Sequence, residues 1–423
     1  MQRKIQTNIL NGPRVGVILG ASVFAYFASI VARSSMGVAS LAATNRFDIG
    51  AAALSSLAVA QLIVYAAMQV PVGLALEKFG SRRLIIFGGI VTGLGNGLVA
   101  FAPYLPMAIA GRMLVGFGDA FVFISMIRLL NSWVKGPRAT RYTQLFANIG
   151  QLGQIASAIP FAYILGVYGW TPAFSGVAAL TLISAGICMF SLKDGPDQLE
   201  SRTQPKPARE ILKQSLADPF TRKAFWVHFT LQSSGSLFIL LWGYPFLVQG
   251  EGLTKVTASL LLGSFVFIGF LVGPILSYFC VTFPERRNRL VTVMYSIILI
   301  AWLLILLTPG PSPFFEIVLL VLAVGSGGPA SMIAFDYSRT SVPKSRLGTS
   351  NGVINSGGFI ATFLCMFLVG GALDLIHSTK VIGDHDLYSL GAFKLAFPVQ
   401  LIVISFGLAM FYRERRLTRE VRE

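Results

Sequence analysis

The stretch Gly73-Leu74-Ala75-Leu76-Glu77-Lys78-Phe79-Gly80-Ser81-Arg82-Arg83 decides the reading of this chain. It closes one long apolar run, 52–77, and opens the next, 83–102. It sets an acid at a helix end, a glycine where the chain must turn sharply, and cations that can cap the last carbonyls. Outward from it the same alternation continues in both directions. The runs are 14–41, 52–77, 83–102, 104–131, 139–167, 170–192, 222–249, 256–281, 288–308, 313–338, 347–374 and 388–412. A helix crosses the hydrocarbon core with about 20 mostly apolar residues, so twelve transmembrane helices are expected. Strands are excluded, because the runs are long, lack period-2 alternation and an open sheet cannot sit in lipid.

Composition agrees. The 423 residues are 54% hydrophobic and 12% charged, where a soluble domain carries roughly 25% charged residues. A net charge of +16 in a soluble protein would point to nucleic acid. Here the cations fall beside the bilayer, so the partner is membrane lipid, and no nucleic acid is expected. Of the 34 Lys and Arg, 27 lie on the side of the chain ends. Four lie on the other side (Arg46, Lys255, Lys380, Lys394), and Arg33, Arg112 and Arg128 fall inside runs. By the positive-inside rule both termini are cytoplasmic and the link between runs 11 and 12 is outside. The first run is read as an uncleaved span in a multi-pass cell-membrane protein. Cys188, Cys280 and Cys365 sit far apart in apolar runs, which argues against a disulfide framework, a metal site or a cofactor.

The longest link, 193–221, holds Pro196, Pro205 and Pro207 and separates two six-span halves, 1–192 and 222–412, with a tail at 413–423. Within it, 208–216 reads as a short amphipathic helix at the membrane surface. The halves echo each other: Pro71-Val72-Gly73 precedes Arg82-Arg83, and Val272-Gly273-Pro274 precedes Arg286-Arg287. Parallel repeats of this kind belong to one transporter architecture.

The 73–83 link resembles the signature loop of the major facilitator superfamily, G-x-x-x-D-R-x-G-x-R-R, with Glu77 for Asp and Lys78 for Arg. Gly111-Arg112-Met113-Leu114-Val115-Gly116-Phe117-Gly118-Asp119 resembles the superfamily's R-x-x-x-G-x-G motif. The resemblance covers the whole chain and implies an all-α membrane fold of two pseudo-symmetric six-helix bundles. It also implies a gating loop (Gly73, Glu77, Gly80, Arg82, Arg83) and an Arg112 that faces a central cavity linked to proton coupling. Tyr26, Arg33 and Gln69-Val70-Pro71-Val72-Gly73 look like a bacterial branch of metabolite and organic-anion carriers. The drug-antiporter signature G-P-x-x-G-G is missing from span 5.

Charges inside spans cost about 2.5–3.5 kcal/mol on insertion scales, so they face a partner or a wet cavity. Arg33 lies near the outer end of span 1, either facing the cavity or snorkelling to headgroups. Arg112 and Asp119 are seven residues apart on nearly one helix face, with Gly116 between them to admit a neighbouring backbone. They form either a solute site or an internal ion pair. We expect Arg33 and Arg112 to contact a substrate carboxylate and Asp119 to carry a proton. Gln61 and Tyr65 on span 2, Asn148 and Gln151 on span 5, Gln232 and Trp242 on span 7, and Asn355 on span 11 are softer substrate-binding candidates. No histidine has a partner at catalytic spacing.

The expected function is secondary transport of a small anionic or zwitterionic solute, such as a carboxylate, sugar acid or small peptide, by a monomer coupled to protons. An exporter of hydrophobic or cationic compounds on the same fold is the alternative. An intramembrane enzyme would need a catalytic cluster inside the spans, and none is visible. A nucleotide-driven pump would need a G-x-x-x-x-G-K-[ST] loop, which is missing. A transporter-shaped sensor would add a signalling domain, and only eleven residues follow Tyr412.

Overall fold

In lipid each backbone N–H and C=O must find its partner within its own segment, so an apolar run of this length can only be a helix. A computed structural model describes residues 13–134, 137–195, 208–343, 346–380 and 386–420. The middle of the central link, 196–207, lies outside them, as do the last tail residues. Among the described residues the fold is all-helical, with no strand. Twelve helices are long and apolar enough to span. The first six are Arg14–Phe47, Ala51–Gln69, Lys78–Ala100, Leu105–Trp133, Asn148–Tyr168 and Trp170–Ser191. The second six are Pro219–Gly250, Lys255–Thr282, Pro284–Leu307, Phe314–Ser341, Leu347–Thr379 and Leu390–Thr418. They are spans 1 to 12 below, and the chain is a multi-pass membrane protein.

Helix interruptions follow the prolines. Proline has no N–H for the i−4 carbonyl and its ring crowds that carbonyl. Span 5 widens into a π turn at Ser157–Phe161, around Pro160. Span 7 does so twice, at Phe238–Trp242 and Phe246–Gly250, on either side of Pro245. Span 10 breaks at Met332, three residues after Pro329.

The described residues form two compact units. One holds those up to Ser35 and from Ala60 to 195; the other holds Met36–Val59 and those from 208 onward. Contacts inside the second unit explain why it takes the end of span 1 and the start of span 2. The Asp374 carboxylate accepts hydrogen bonds from the N–H groups of Ala51 (2.7 Å) and Ala52 (2.9 Å), capping span 2 from span 11. Helix starts leave such donors without partners. Ser55 Oγ donates to the Met366 carbonyl at 3.0 Å, and Tyr388 and Thr44 share a hydroxyl bond of 3.0 Å. Burial pushes the Tyr388 phenol up to about 12, so it stays a neutral hydrogen-bonding group.

The link helix expected at 208–216 is present as Ala208–Ala217. One side of it is docked on the second unit. Ser350 Oγ donates to Ser215 Oγ (3.2 Å) and Arg346 Nη1 to the Gln214 carbonyl (3.1 Å).

Candidate functional site

The polar centre of the first unit is built on span 1, where Tyr26, Ser29 and Arg33 stand at i, i+3 and i+7 and share one helix face. Span 4 presents Asp119 to that face. Arg33 Nε donates to Asp119 Oδ2 at 2.6 Å, and Ser29 Oγ donates to Asp119 Oδ1 at 2.5 Å. The carboxylate is 1% exposed and the Arg33 side chain 15% exposed. The guanidinium carbon lies 4.5 Å from the centre of the Tyr65 ring of span 2, a cation–π contact, and the Tyr65 hydroxyl is a further hydrogen-bonding neighbour of Arg33. Arg33 Nη2 is buried with no acceptor among the described residues. Arg33 therefore points inward to an acid, and does not snorkel.

Arg112 of span 4 also meets span 1. It is 1% exposed. Its Nη1 donates to the Ala32 carbonyl at 3.1 Å and its Nη2 to the Arg33 carbonyl at 3.3 Å. A carbonyl oxygen has a second lone pair, so Arg112 braces span 4 to span 1 without breaking span 1's own ladder. Gly116 permits that approach: a Cβ there would stand 2.2 Å from the Gln61 carbonyl oxygen of span 2. The backbone expected to be admitted at this glycine is that of Gln61.

The softer candidates divide. Gln61 is buried and its Nε2 is without a partner among the described residues. Gln151 donates from Nε2 to the Tyr26 hydroxyl at 3.2 Å and accepts from Gln154 Nε2. Asn148 is half-buried. In the second unit, Gln232 accepts from Ser331 Oγ (2.9 Å) and donates to Ser236 Oγ (2.9 Å). His228 Nδ1 lies 3.3 Å from the Ser331 carbonyl, and Asn355 is a further hydrogen-bonding neighbour of that imidazole. Gln232 and Asn355 are half-buried and brought together, with His228 between them and sequestered. The Trp242 indole is fully buried, and its Nε1 donates to the Met366 carbonyl at 3.0 Å within the second unit.

In the loop, Gly80 has φ 77° and ψ 166°, a region reserved for glycine. Arg82 binds the end of span 6. Its N–H donates to Asp194 Oδ1 and its Nη2 to the Met189 carbonyl, each at 2.8 Å. Gly73 is half-buried and Arg83 exposed; the Glu77 side chain lies outside the described residues. Gly80→Val is expected to cost about 1–3 kcal/mol of backbone strain and to abolish uptake while membrane insertion persists. Uptake at the wild-type rate with normal insertion would remove the loop from the cycle.

Sequence reasoning missed Ser29, Asp194, Ser331 and His228 as partners. Only Ser29 carried a signal, as the middle of the Tyr26/Ser29/Arg33 face. Among the described residues no His, Cys, Asp and Glu group could hold a metal ion.

The sequence matches the family model of the Major Facilitator Superfamily over residues 22–366. The chain belongs to that superfamily. The "Probable sulfoacetate transporter SauU" of Cupriavidus necator is 28% identical over 200 residues, covering 46% of this chain and 45% of SauU. The match thus spans about half of that relative. The "Probable galactarate/D-glucarate transporter GarP" of Escherichia coli K12 is 22% identical over 382 residues, covering 82% of this chain and 85% of GarP. In fold, the superfamily chain is similar to a bacterial homolog of the human lysosomal transporter Spinster, solved in an inward-facing, unoccupied conformation. The TM-score is 0.76 at 14% identity, over 96% of this chain and 98% of that one. This superfamily protein is a transporter of small solutes and not an enzyme.

Proposed function

We propose that the protein carries a small organic anion, such as a carboxylate or sugar acid, across the cell membrane by alternating access coupled to protons. It does so as a monomer built from two six-helix halves, 1–192 and 222–412. The observation that carries this reading is Arg33. Its Nε is held by Asp119, while its buried Nη2 has no acceptor among the described residues. An arginine edge with a donor to spare suits a carboxylate, which accepts two parallel N–H bonds. The buried charges in this cluster are Arg33, Arg112 and one acid, Asp119, an excess of one cation that favours an anionic guest. The solutes printed in the SauU and GarP names are organic anions, which supports the same class over cationic drugs.

Coupling follows from sharing. A solute carboxylate on Arg33 crowds Asp119 on the same guanidinium, and a proton on Asp119 relieves that repulsion. Ser29 keeps the carboxylate oriented. Tyr65 against Arg33 and Gln151 on Tyr26 are neutral neighbours of the cluster; Gln61, Asn148, Gln232 and Asn355 would offer neutral donors and acceptors suited to hydroxyls. Arg112 acts as the brace that fixes span 1.

Arg33→Lys tests the assignment. Lysine keeps the charge and loses the fork, so binding of galactarate, D-glucarate or sulfoacetate, read by ligand-dependent thermal shift, is expected to weaken by roughly 1.5–3 kcal/mol. Arg112→Lys is expected to lower the melting temperature and leave the affinity of the surviving folded protein within a few-fold. Unchanged affinity in Arg33→Lys, for whichever of these anions binds the wild type, would sink the anion site.

Both chain ends are placed in the cytoplasm on the strength of the cation bias. An impermeant thiol reagent on intact cells should label Ser378→Cys and spare Lys213→Cys, both at exposed positions. The reverse pattern would invert the topology.

A further inference from the structure

The second unit carries a groove that no transport step uses, where span 8 ends and span 9 begins. It is a partly open groove of about 150 Å³. That is room for a headgroup phosphate, not for a whole lipid. Its walls are Phe279, Phe283, Leu290 and Val293, and its cationic rim is Arg286 and Arg289. Arg287 also borders it but is committed inward. Its Nε donates to the Cys280 carbonyl at 3.0 Å and its Nη1 to Thr340 Oγ1 at 3.2 Å.

The two rim arginines are not committed. Arg286 lies over the Phe283 ring, 5.1 Å from its centre. Its neighbouring acid Glu285 is 3.7 Å from Nε, with the two side chains 67% and 66% exposed; such an exposed pair is weak. Arg289 is exposed and has no ion pair or hydrogen bond among the described residues. Below the rim, Phe279 and Val293 are 45% and 46% exposed, on faces of membrane-spanning helices. Two exposed arginines stand against one glutamate, beside an apolar wall.

That order selects the occupant. A soluble phosphate would match the rim and gain nothing from the wall. A zwitterionic headgroup would bring its own cation to a cationic rim. A phosphate that carries a net negative charge and an acyl chain satisfies both parts, and arginine forks suit phosphate oxygens. We propose that the groove between spans 8 and 9 binds one anionic glycerophospholipid, its phosphate on Arg286 and Arg289 and an acyl chain along Phe279 and Val293.

The full-length protein in neutral detergent should bind phosphatidylglycerol as a discrete adduct in native mass spectrometry, and phosphatidylcholine far more weakly. Arg286→Gln with Arg289→Gln should weaken phosphatidylglycerol binding about 25-fold, near fivefold per arginine. Val293→Ser, at an exposed position, should weaken it severalfold and leave the melting temperature unchanged. Arg209→Gln with Lys213→Gln, on the link helix, should leave it as it was. Equal affinity of the wild type and the rim variant would overturn the site. So would an equal loss in the link-helix variant, which would mean general charge attraction. Tight phosphatidylcholine binding, displacement by inorganic phosphate at the same strength, or no effect of Val293→Ser would each overturn the lipid assignment.

Discussion

Asp119→Ala is expected to destabilise the protein by about 3–5 kcal/mol and to abolish uptake. Removing one partner of a buried ion pair leaves the other charge uncompensated. Here Arg33 would lose the acceptor of its Nε while its Nη2 already lacks one, and the Ser29 hydroxyl would lose its partner too. Thermal unfolding of the purified protein gives the first number, and uptake into proteoliposomes the second. The double variant Arg33→Met with Asp119→Leu separates the two effects. Replacing a buried pair by apolar groups of similar size is often neutral or stabilising, so the fold should recover and transport should not. A double variant that transports normally would reduce the pair to packing. Asp119→Asn tests coupling alone: exchange of bound solute should persist while proton-driven accumulation fails. Accumulation at the wild-type level would remove Asp119 from the proton path.

Gly116→Val carries the second large effect. The new Cβ would stand 2.2 Å from the Gln61 carbonyl oxygen and 2.9 Å from its carbon. Both are backbone atoms, so no side chain can swing aside and spans 2 and 4 must part. Overpacking of this kind costs roughly 1–3 kcal/mol, at times more. The displacement falls between Arg112 and Asp119, so the brace on span 1 and the acid for Arg33 move together. Loss of the monodisperse peak on size exclusion, or a folded protein without uptake, is the expected result. Met113→Ala, at a half-exposed position nearby, should stay within about 0.5 kcal/mol of the wild type. A stable, active Gly116→Val would mean that spans 2 and 4 do not approach as described.

Much of this was legible in the chain itself. The twelve spans follow from the length of apolar runs and the bilayer's thickness. The glycine-only backbone at Gly80 was readable from a turn with an acid before it and cations after it. The small residue at Gly116 announced a close neighbour, although not which one.

The rest needed the tertiary structure. Asp119 meets Ser29 and Arg33 across 90 and 86 residues of chain, and no local pattern encodes such a distance. The spans are apolar around most of their circumference, so no amphipathic face says how each is rotated about its axis. That rotation brings Arg112 to the carbonyls of Ala32 and Arg33 and the Trp242 indole to the Met366 carbonyl. It also sets the partner of Arg82, which is Asp194 at the end of span 6, and draws Met36–Val59 into the second unit through the Asp374 cap. Backbone hydrogen bonding and hydrophobic length act over a few turns, so the amino-acid sequence alone determined how many helices there are and which apolar run forms each, while ends such as Phe47, Gln69 and Thr418 fall several residues away from the limits of those runs. Side-chain pairing depends on how those helices turn against one another, and only packing decided that.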